Sequence, residues 1–266
     1  MLKKAKESES DLYFVEPTPN KEAEADRIQA QDDIQKAILN EDFIVYTQSV
    51  RAANQELQKE CYIRLKTSTG EIPASLFLPV AEELGIEDKV DYFMLNKLFE
   101  QSDSKTVFAI NLSSTVIVDE DKKQPFIKKL LDKKESERAY FNFEINENIL
   151  AHHKKQTLTF IHDLNRMGYT VGLDHVGSAL LSFDYLKNSK VQYLKLDGAF
   201  SRGLTNSQYK KQMIQNLISL CENLDIQVIA TMVENKRECE HLKALNVHWL
   251  QGDYISRQKP LDYTDK

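Results

Sequence analysis

Eight short apolar runs recur along this chain, most of them separated by stretches whose apolar residues fall three and four apart, and this alternation restricts the fold more than any other feature. The runs are Phe43 to Val50, Glu60 to Lys66, Val107 to Ser113, Tyr140 to Ile145, Thr170 to Val176, Tyr193 to Asp197, Ile226 to Thr231 and His248 to Gln251. They read as strands. Gln156 to Met167 and Lys210 to Leu224 have the spacing of amphipathic crossover helices. Strands alternating with helices predict a mainly parallel sheet. The first two runs are joined only by the polar segment Arg51 to Lys59, too short for a helical crossover, so that pair is expected to be antiparallel. The fold class expected is α/β: a modified TIM-type (β/α)8 barrel with an antiparallel first strand.

At 266 residues and 41% apolar content, one barrel domain accommodates the pattern, and residues 31–266 are assigned to it. Residues 1–30 are charged and polar, are interrupted by Pro17 and Pro19, and read as a linker ahead of the barrel. The 41 acidic and 35 basic residues give a formal charge of -6, which opposes binding of long nucleic acids because phosphate neutralisation needs a basic face. A small anionic ligand in a locally basic pocket is compatible with that charge. Cys61, Cys221 and Cys239 are odd in number and lack metal-ligand spacing, which argues against a disulfide framework and for a reducing cytoplasm. No apolar run approaches the roughly 20 residues that span a bilayer. No signal-peptide pattern opens the chain, so these residues are expected to make no membrane contact.

In barrels of this kind the chemistry collects at the C-terminal ends of the strands. Glu60, Asn111, Glu144, Asp174, Lys195 and Glu234 all fall on or just after expected strands. Singly, each is an ordinary loop or capping residue; together they converge on one concavity. The oxygens of Glu60, Asn111, Glu144 and Asp174 are hard donors of the kind magnesium, manganese or calcium prefers. Lys195 either faces phosphate oxygens or a metal-bound water, or it snorkels. Arg64, four residues after Glu60 and on the same strand face, either clamps a phosphate or pairs with Glu60.

These positions form a known set. The chain resembles the EAL domain family, cyclic di-GMP phosphodiesterases and receptors built on a barrel with an antiparallel first strand. Glu60-Cys-Tyr-Ile-Arg64 stands where the family has Glu-Ala-Leu-Leu-Arg, and Phe77-Leu-Pro-Val-Ala-Glu82 matches Phe-Ile-Pro-x-Ala-Glu. Asn111-Leu-Ser113 and Glu144-Ile-Asn-Glu147 match Asn-(Leu/Val)-Ser and Glu-(Ile/Leu)-Thr-Glu. Lys195-Leu-Asp197 with Phe200 retains Lys-(Ile/Leu)-Asp-x-x-Phe, and Gln251-Gly252 retains the closing pair. The resemblance covers roughly residues 30 to 260, in order. It implies ligand-binding roles for Gln48, Glu60, Arg64, Leu78, Asn111, Glu144, Asp174, Lys195, Glu234 and Gln251.

The departures bear on mechanism. Asp174-His-Val-Gly-Ser-Ala179 replaces Asp-Asp-Phe-Gly-Thr-Gly, and Ala230-Thr-Met-Val-Glu234 replaces Ala-Glu-Gly-Val-Glu. Active members hold two divalent ions about 4 Å apart that activate a water. His175 in place of the second aspartate removes a negative charge from that site; imidazole binds transition metals, but packing or hydrogen bonding is the expected role here. Thr231 stands where the family carries its general base, and a hydroxyl does not accept a proton near neutral pH; loss of the base costs on the order of 10² to 10⁴ in rate. Ala179 replaces a loop glycine and restricts the backbone. The resemblance therefore implies a cyclic di-GMP receptor with no catalytic residue, no assigned metal ligand and no required cofactor. A weak metal-dependent phosphodiesterase and a nucleotide-independent scaffold are the alternatives.

Met1-Leu-Lys-Lys-Ala-Lys6 and Asp11-Leu-Tyr-Phe-Val15 resemble the closing helix and strand of a GGDEF domain, or form an ordinary charged leader. The former implies a tandem GGDEF-EAL, LapD-type receptor: a homodimer that captures a protein effector, this part cytoplasmic and its parent anchored in the inner membrane.

Overall fold

The computed structural model describes residues 31–53, 55–68, 70–101, 105–177, 183–204 and 207–261, together with β1 (Lys3–Lys4) and β2 (Tyr13–Phe14), which pair antiparallel. The rest of the segment read as a linker and GGDEF remnant lies outside the described residues, as does Ala179.

All eight expected strands form. β3 (Phe43–Ala52) and β4 (Gln55–Thr67) make a long antiparallel hairpin, and β5 (Gly70–Pro73) adds an antiparallel edge to β4. Next come β6 (Phe108–Leu112), β7 (Phe141–Asn146), β8 (Thr170–Val176), β9 (Tyr193–Leu196), β10 (Gln227–Ala230) and β11 (Trp249–Leu250), each parallel to the one before, with β6 parallel to β4. β11 closes the barrel onto β3 with Leu250 opposite Arg51, antiparallel, so β3 is the reversed strand. β12 (Lys259–Pro260) pairs with β3. The hairpin outruns its expected bounds: a bulge between Val50 and Arg51 lets the ladder continue through polar residues to Ala52 and Gln55, where alternation alone ends it too soon.

The helices Lys154–Arg166 and Gln208–Asn223 lie where the spacing places them. Their buried stripes, Phe160, Ile161 and Leu164 in one and Ile214, Leu217 and Cys221 in the other, join the core between helices and barrel. Burying a Phe or Leu fully contributes about 1.5–3 kcal/mol. All three cysteines are buried and free.

Strand alternation sorts the residues of β7. Phe141, Phe143 and Ile145 join the apolar layer, while Asn142 and Glu144 exchange bonds with Gln58 across the barrel interior. The interior has its own small apolar cluster of Val50, Tyr193 and Ile229, and is otherwise strongly polar. Gly172 makes room for it, because a Cβ there would lie 2.2 Å from the Tyr193 ring.

Outside the barrel, Ser113 donates from both its backbone N–H and its hydroxyl to Asp91 of the helix Glu87–Phe99, tying helix to strand end. Burial pushes the Asp91 carboxyl up to about 7, against the lowering effect of those bonds and with help from Glu87 and Asp88. A carboxyl raised on folding stabilises fully below its unfolded value, near 4, and loses that contribution as pH rises through its folded one. Relative to Asp91→Asn, the native chain should therefore lose up to about 1.4 kcal/mol of stability per pH unit between about pH 4 and 7. Denaturant unfolding of both proteins across that window checks this, and a constant difference would refute it.

Candidate functional site

The C-terminal ends of the parallel strands open on a cleft of about 370 Å³. Gln48, Glu60, Asp174, Lys195, Glu234 and Gln251 of the expected set line it, with His175 and Thr231. Glu144 lies beneath, fully buried, and Asn111 reaches in from β6 to donate to Glu60 Oε1 at 2.8 Å. Among the described residues that line the cleft, Leu78 is absent; it is half-buried against the core on the helix Ala74–Glu83. Arg64 pairs with Glu71 at 3.8 Å, stacks over Tyr46 at 4.2 Å and meets Gln258, a cleft residue. Arg64 therefore pairs with Glu71 rather than with Glu60.

The centre of the site is ionic. Lys195 Nζ donates to Glu60 Oε2 and Glu144 Oε2, each at 2.6 Å, and lies 3.7 Å from Asp174 Oδ1. It is 1% exposed, which excludes snorkelling. Burial disfavours the Lys195 charge, yet attraction from Asp174, Glu144 and Glu60 holds its pKa well above the ordinary lysine value. Burial also works to raise Glu60, but attraction and hydrogen bonding from Lys195, with bonds from Gln251 and Asn111, bring it below the usual carboxylate range. Glu144 goes the other way: burial raises it, Lys195 only partly opposes this, and the Glu60 and Asp174 charges add to the rise.

Sequence reading missed the support beneath and beside this group. Gln58 and the Tyr193 hydroxyl both donate to Glu144 Oε1 at 3.0 Å, and the Tyr62 hydroxyl donates to Glu60 Oε2 at 2.8 Å. Period-2 alternation places Gln58 and Tyr62 on the Glu60 face, a signal that was available. Glu147, the last residue of its motif, accepts the Gly177 N–H at 2.9 Å and so anchors the start of the loop after β8.

The two departures at the mouth both point to neighbours. His175 sits at a register shift of β8 against β9, with a left-handed backbone (φ 56°) that a side chain adopts at some cost. Its ring is 51% exposed and its Nδ1 is 3.0 Å from Asp197 Oδ2. Partial burial opposes the Asp197 charge, but the His175 bond and the Ala199 N–H outweigh it and hold that carboxyl below its ordinary value. Thr231 donates its hydroxyl to the Leu196 carbonyl at 2.7 Å.

Carboxylate oxygens of Glu60, Glu144 and Asp174 lie within 4.8 Å of one another. That donor set, with Asn111 beside it, fits one hard divalent cation. Among the described residues no second such cluster occurs.

A model of the EAL domain matches residues 31–258. The chain belongs to the EAL domain family. This EAL domain is 27% identical over 244 residues to the cyclic di-GMP phosphodiesterase PdeF of Escherichia coli, covering 89% of this chain and 32% of PdeF, so it spans about a third of that relative. Its fold is shared by the FimX EAL domain from Pseudomonas aeruginosa bound to c-di-GMP, at 23% identity and a TM-score of 0.77 over 88% of this chain and 98% of that one. It is shared also by the apo S helix-GGDEF-EAL structure of LapD from Vibrio cholerae, at 22% identity and a TM-score of 0.79 over 86% and 57%. No helix among the described residues of this EAL domain is long and apolar enough to cross a membrane.

Removing one member of a buried ion group leaves the others uncompensated, a loss of about 3–5 kcal/mol. Lys195→Met should destabilise the domain by that amount, and adding Glu60→Gln should recover part of it. Urea unfolding of the three proteins reads this out; a loss below about 1 kcal/mol for Lys195→Met would show that the ammonium is not the neutralising group.

Proposed function

We propose that this EAL domain is a cyclic di-GMP receptor that binds the dinucleotide at the barrel mouth without cleaving it. The observation that carries this reading is the Thr231 hydroxyl: it stands at the position of the family's base and is committed as a donor to a backbone carbonyl. Gln48, Glu60, Arg64, Leu78, Asn111, Glu144, Asp174, Lys195, Glu234 and Gln251 are the proposed binding residues. Gln251 supports the reading further. Its amide nitrogen faces the Glu60 carboxylate at 2.6 Å, which fixes the amide orientation and leaves its buried Oε1 without a partner among the described residues. A ligand N–H group, such as a guanine edge offers, would satisfy that acceptor.

Binding is proposed to act through homodimerisation or capture of a protein effector, with residues 1–30 as the end of a preceding GGDEF domain and the parent protein anchored in the inner membrane. No cofactor is required for this role. The second reading, a weak metal-dependent phosphodiesterase, is favoured by the Glu60, Glu144 and Asp174 cluster. A divalent cation held there supplies Lewis-acid polarisation of a phosphate oxygen. The chain's own residues hold the ligand, and Thr231, at the position of the family's base, donates its hydroxyl to the Leu196 carbonyl.

Calorimetric titration of the purified chain with cyclic di-GMP should give saturable heat, while chromatography finds no linear dinucleotide in the presence of magnesium or manganese. Absence of heat with an intact fold removes the receptor reading, and product at an enzymatic pace establishes the second. His175→Asp with Thr231→Glu should raise metal-dependent hydrolysis on the order of 10²-fold. Complete inactivity of that double variant with normal metal binding counts against the account of these two positions.

A further inference from the structure

We infer that Tyr62 is a positioning residue that weakens the hold of the acidic cluster on a divalent cation by occupying a lone pair of Glu60 Oε2. Gln58, Glu60, Tyr62 and Arg64 alternate along one face of β4, rising about 6.6 Å per step from the barrel floor to its rim. Tyr62 stands one step above Glu60 and turns its hydroxyl back to Glu60 Oε2 at 2.8 Å. The hydroxyl has one proton, and the shorter, charged contact takes it in preference to Gln48 Oε1 at 3.2 Å. Gln251 Nε2 donates to the same hydroxyl at 3.0 Å, so it is fixed on both sides.

A carboxylate offers about four lone-pair sites. Glu60 receives Lys195, Tyr62 and Gln251 on Oε2, which fills that oxygen, and Asn111 alone on Oε1. A cation that takes Oε2, the oxygen turned to Lys195, must displace one of these donors. The leucine of the Glu-Ala-Leu signature has no hydroxyl, so at this position the obstacle comes with the tyrosine itself. The inference deepens the non-hydrolytic reading, since it names a side chain that competes with a divalent ion for Glu60.

The test titrates manganese, with no nucleotide present, into the native chain and into Tyr62→Phe, Tyr62→Leu and Tyr46→Phe, by calorimetry and by the loss of the free-ion paramagnetic resonance signal. Circular dichroism confirms that each variant is folded. Tyr62→Phe removes only the hydroxyl, and Tyr62→Leu restores the signature residue. Each should bind manganese about tenfold more tightly than the native chain, a shift of about 1.4 kcal/mol. Tyr46, opposite Tyr62 on β3, donates instead to Glu71, so Tyr46→Phe should leave the affinity unchanged. Equal affinity in the native chain and both Tyr62 variants, an equal gain in Tyr46→Phe, or no manganese binding by any of the proteins overturns the inference. Because the titration contains no nucleotide, its failure is separate from failure of the receptor reading.

Discussion

One buried ammonium group organises this barrel. Glu60 on β4, Glu144 on β7 and Asp174 on β8 bring carboxylate oxygens within 4.8 Å of each other, and Lys195 on β9 is bonded to two of them. Unpaired ions in such an interior cost several kcal/mol each, so the carboxylates are tolerable together only with a cation among them. The register supplies the convergence: Glu60 lies opposite Ala109, Asn111 opposite Glu144, and Ile229 opposite Lys195. A slip of one residue in any strand would turn its member of the group into the helix layer.

The reversed strand gives the mouth its second wall. With β3 antiparallel to β4, Gln48 lies directly across from Glu60, and the Gln48 amide donates to the Ser256 carbonyl at 2.8 Å and to Asp253 at 3.2 Å. The segment after β11 is thereby tied to the opening hairpin, and β12 extends the tie along Thr47 and Tyr46. Gln251 sits at this junction and reaches Glu60 from the closing strand. The closing segment is thus tied both to Gln48 of β3 and to the Glu60 carboxylate of β4.

Much of this was legible in the sequence, for definable reasons. Strand number, order and the antiparallel start follow from alternation and from one connection too short for a helix, and the charged residues at strand ends followed from the same registration. Less was legible where meaning depends on what faces a residue across the barrel. Tyr62 reads as an altered signature leucine until its hydroxyl is found on Glu60, and Gln58 and Tyr193 read as ordinary strand residues until they are found beneath Glu144. Arg64 is ambiguous in sequence between clamping a phosphate and pairing with Glu60; in the fold it stacks on Tyr46 and pairs with Glu71 of the adjoining β5, a partner alternation does not announce. The bulge that carries His175 leaves no mark in composition, since a left-handed backbone at a histidine is set by the strands around it.

Three of the departures from the family pattern, His175, Thr231 and Met232, meet at one place. Thr231 bonds the Leu196 carbonyl, Ser201 bonds the Thr231 carbonyl, and His175 bonds Asp197, the residue after Leu196. Met232, left-handed at φ 56°, lies over Gly198, where a Cβ would come within 2.1 Å of its sulfur. All of these contacts meet on the turn from Leu196 to Ser201. Neighbours that share partners do not act additively. His175 holds Asp197 at the head of that turn, Met232 covers its next residue, and Thr231 is bound to it on both sides, so each substitution fits the surroundings made by the others. Where the family pattern has an aspartate, a glutamate and a glycine, this wall of the cleft is lined by an imidazole, a hydroxyl and a thioether held to one turn.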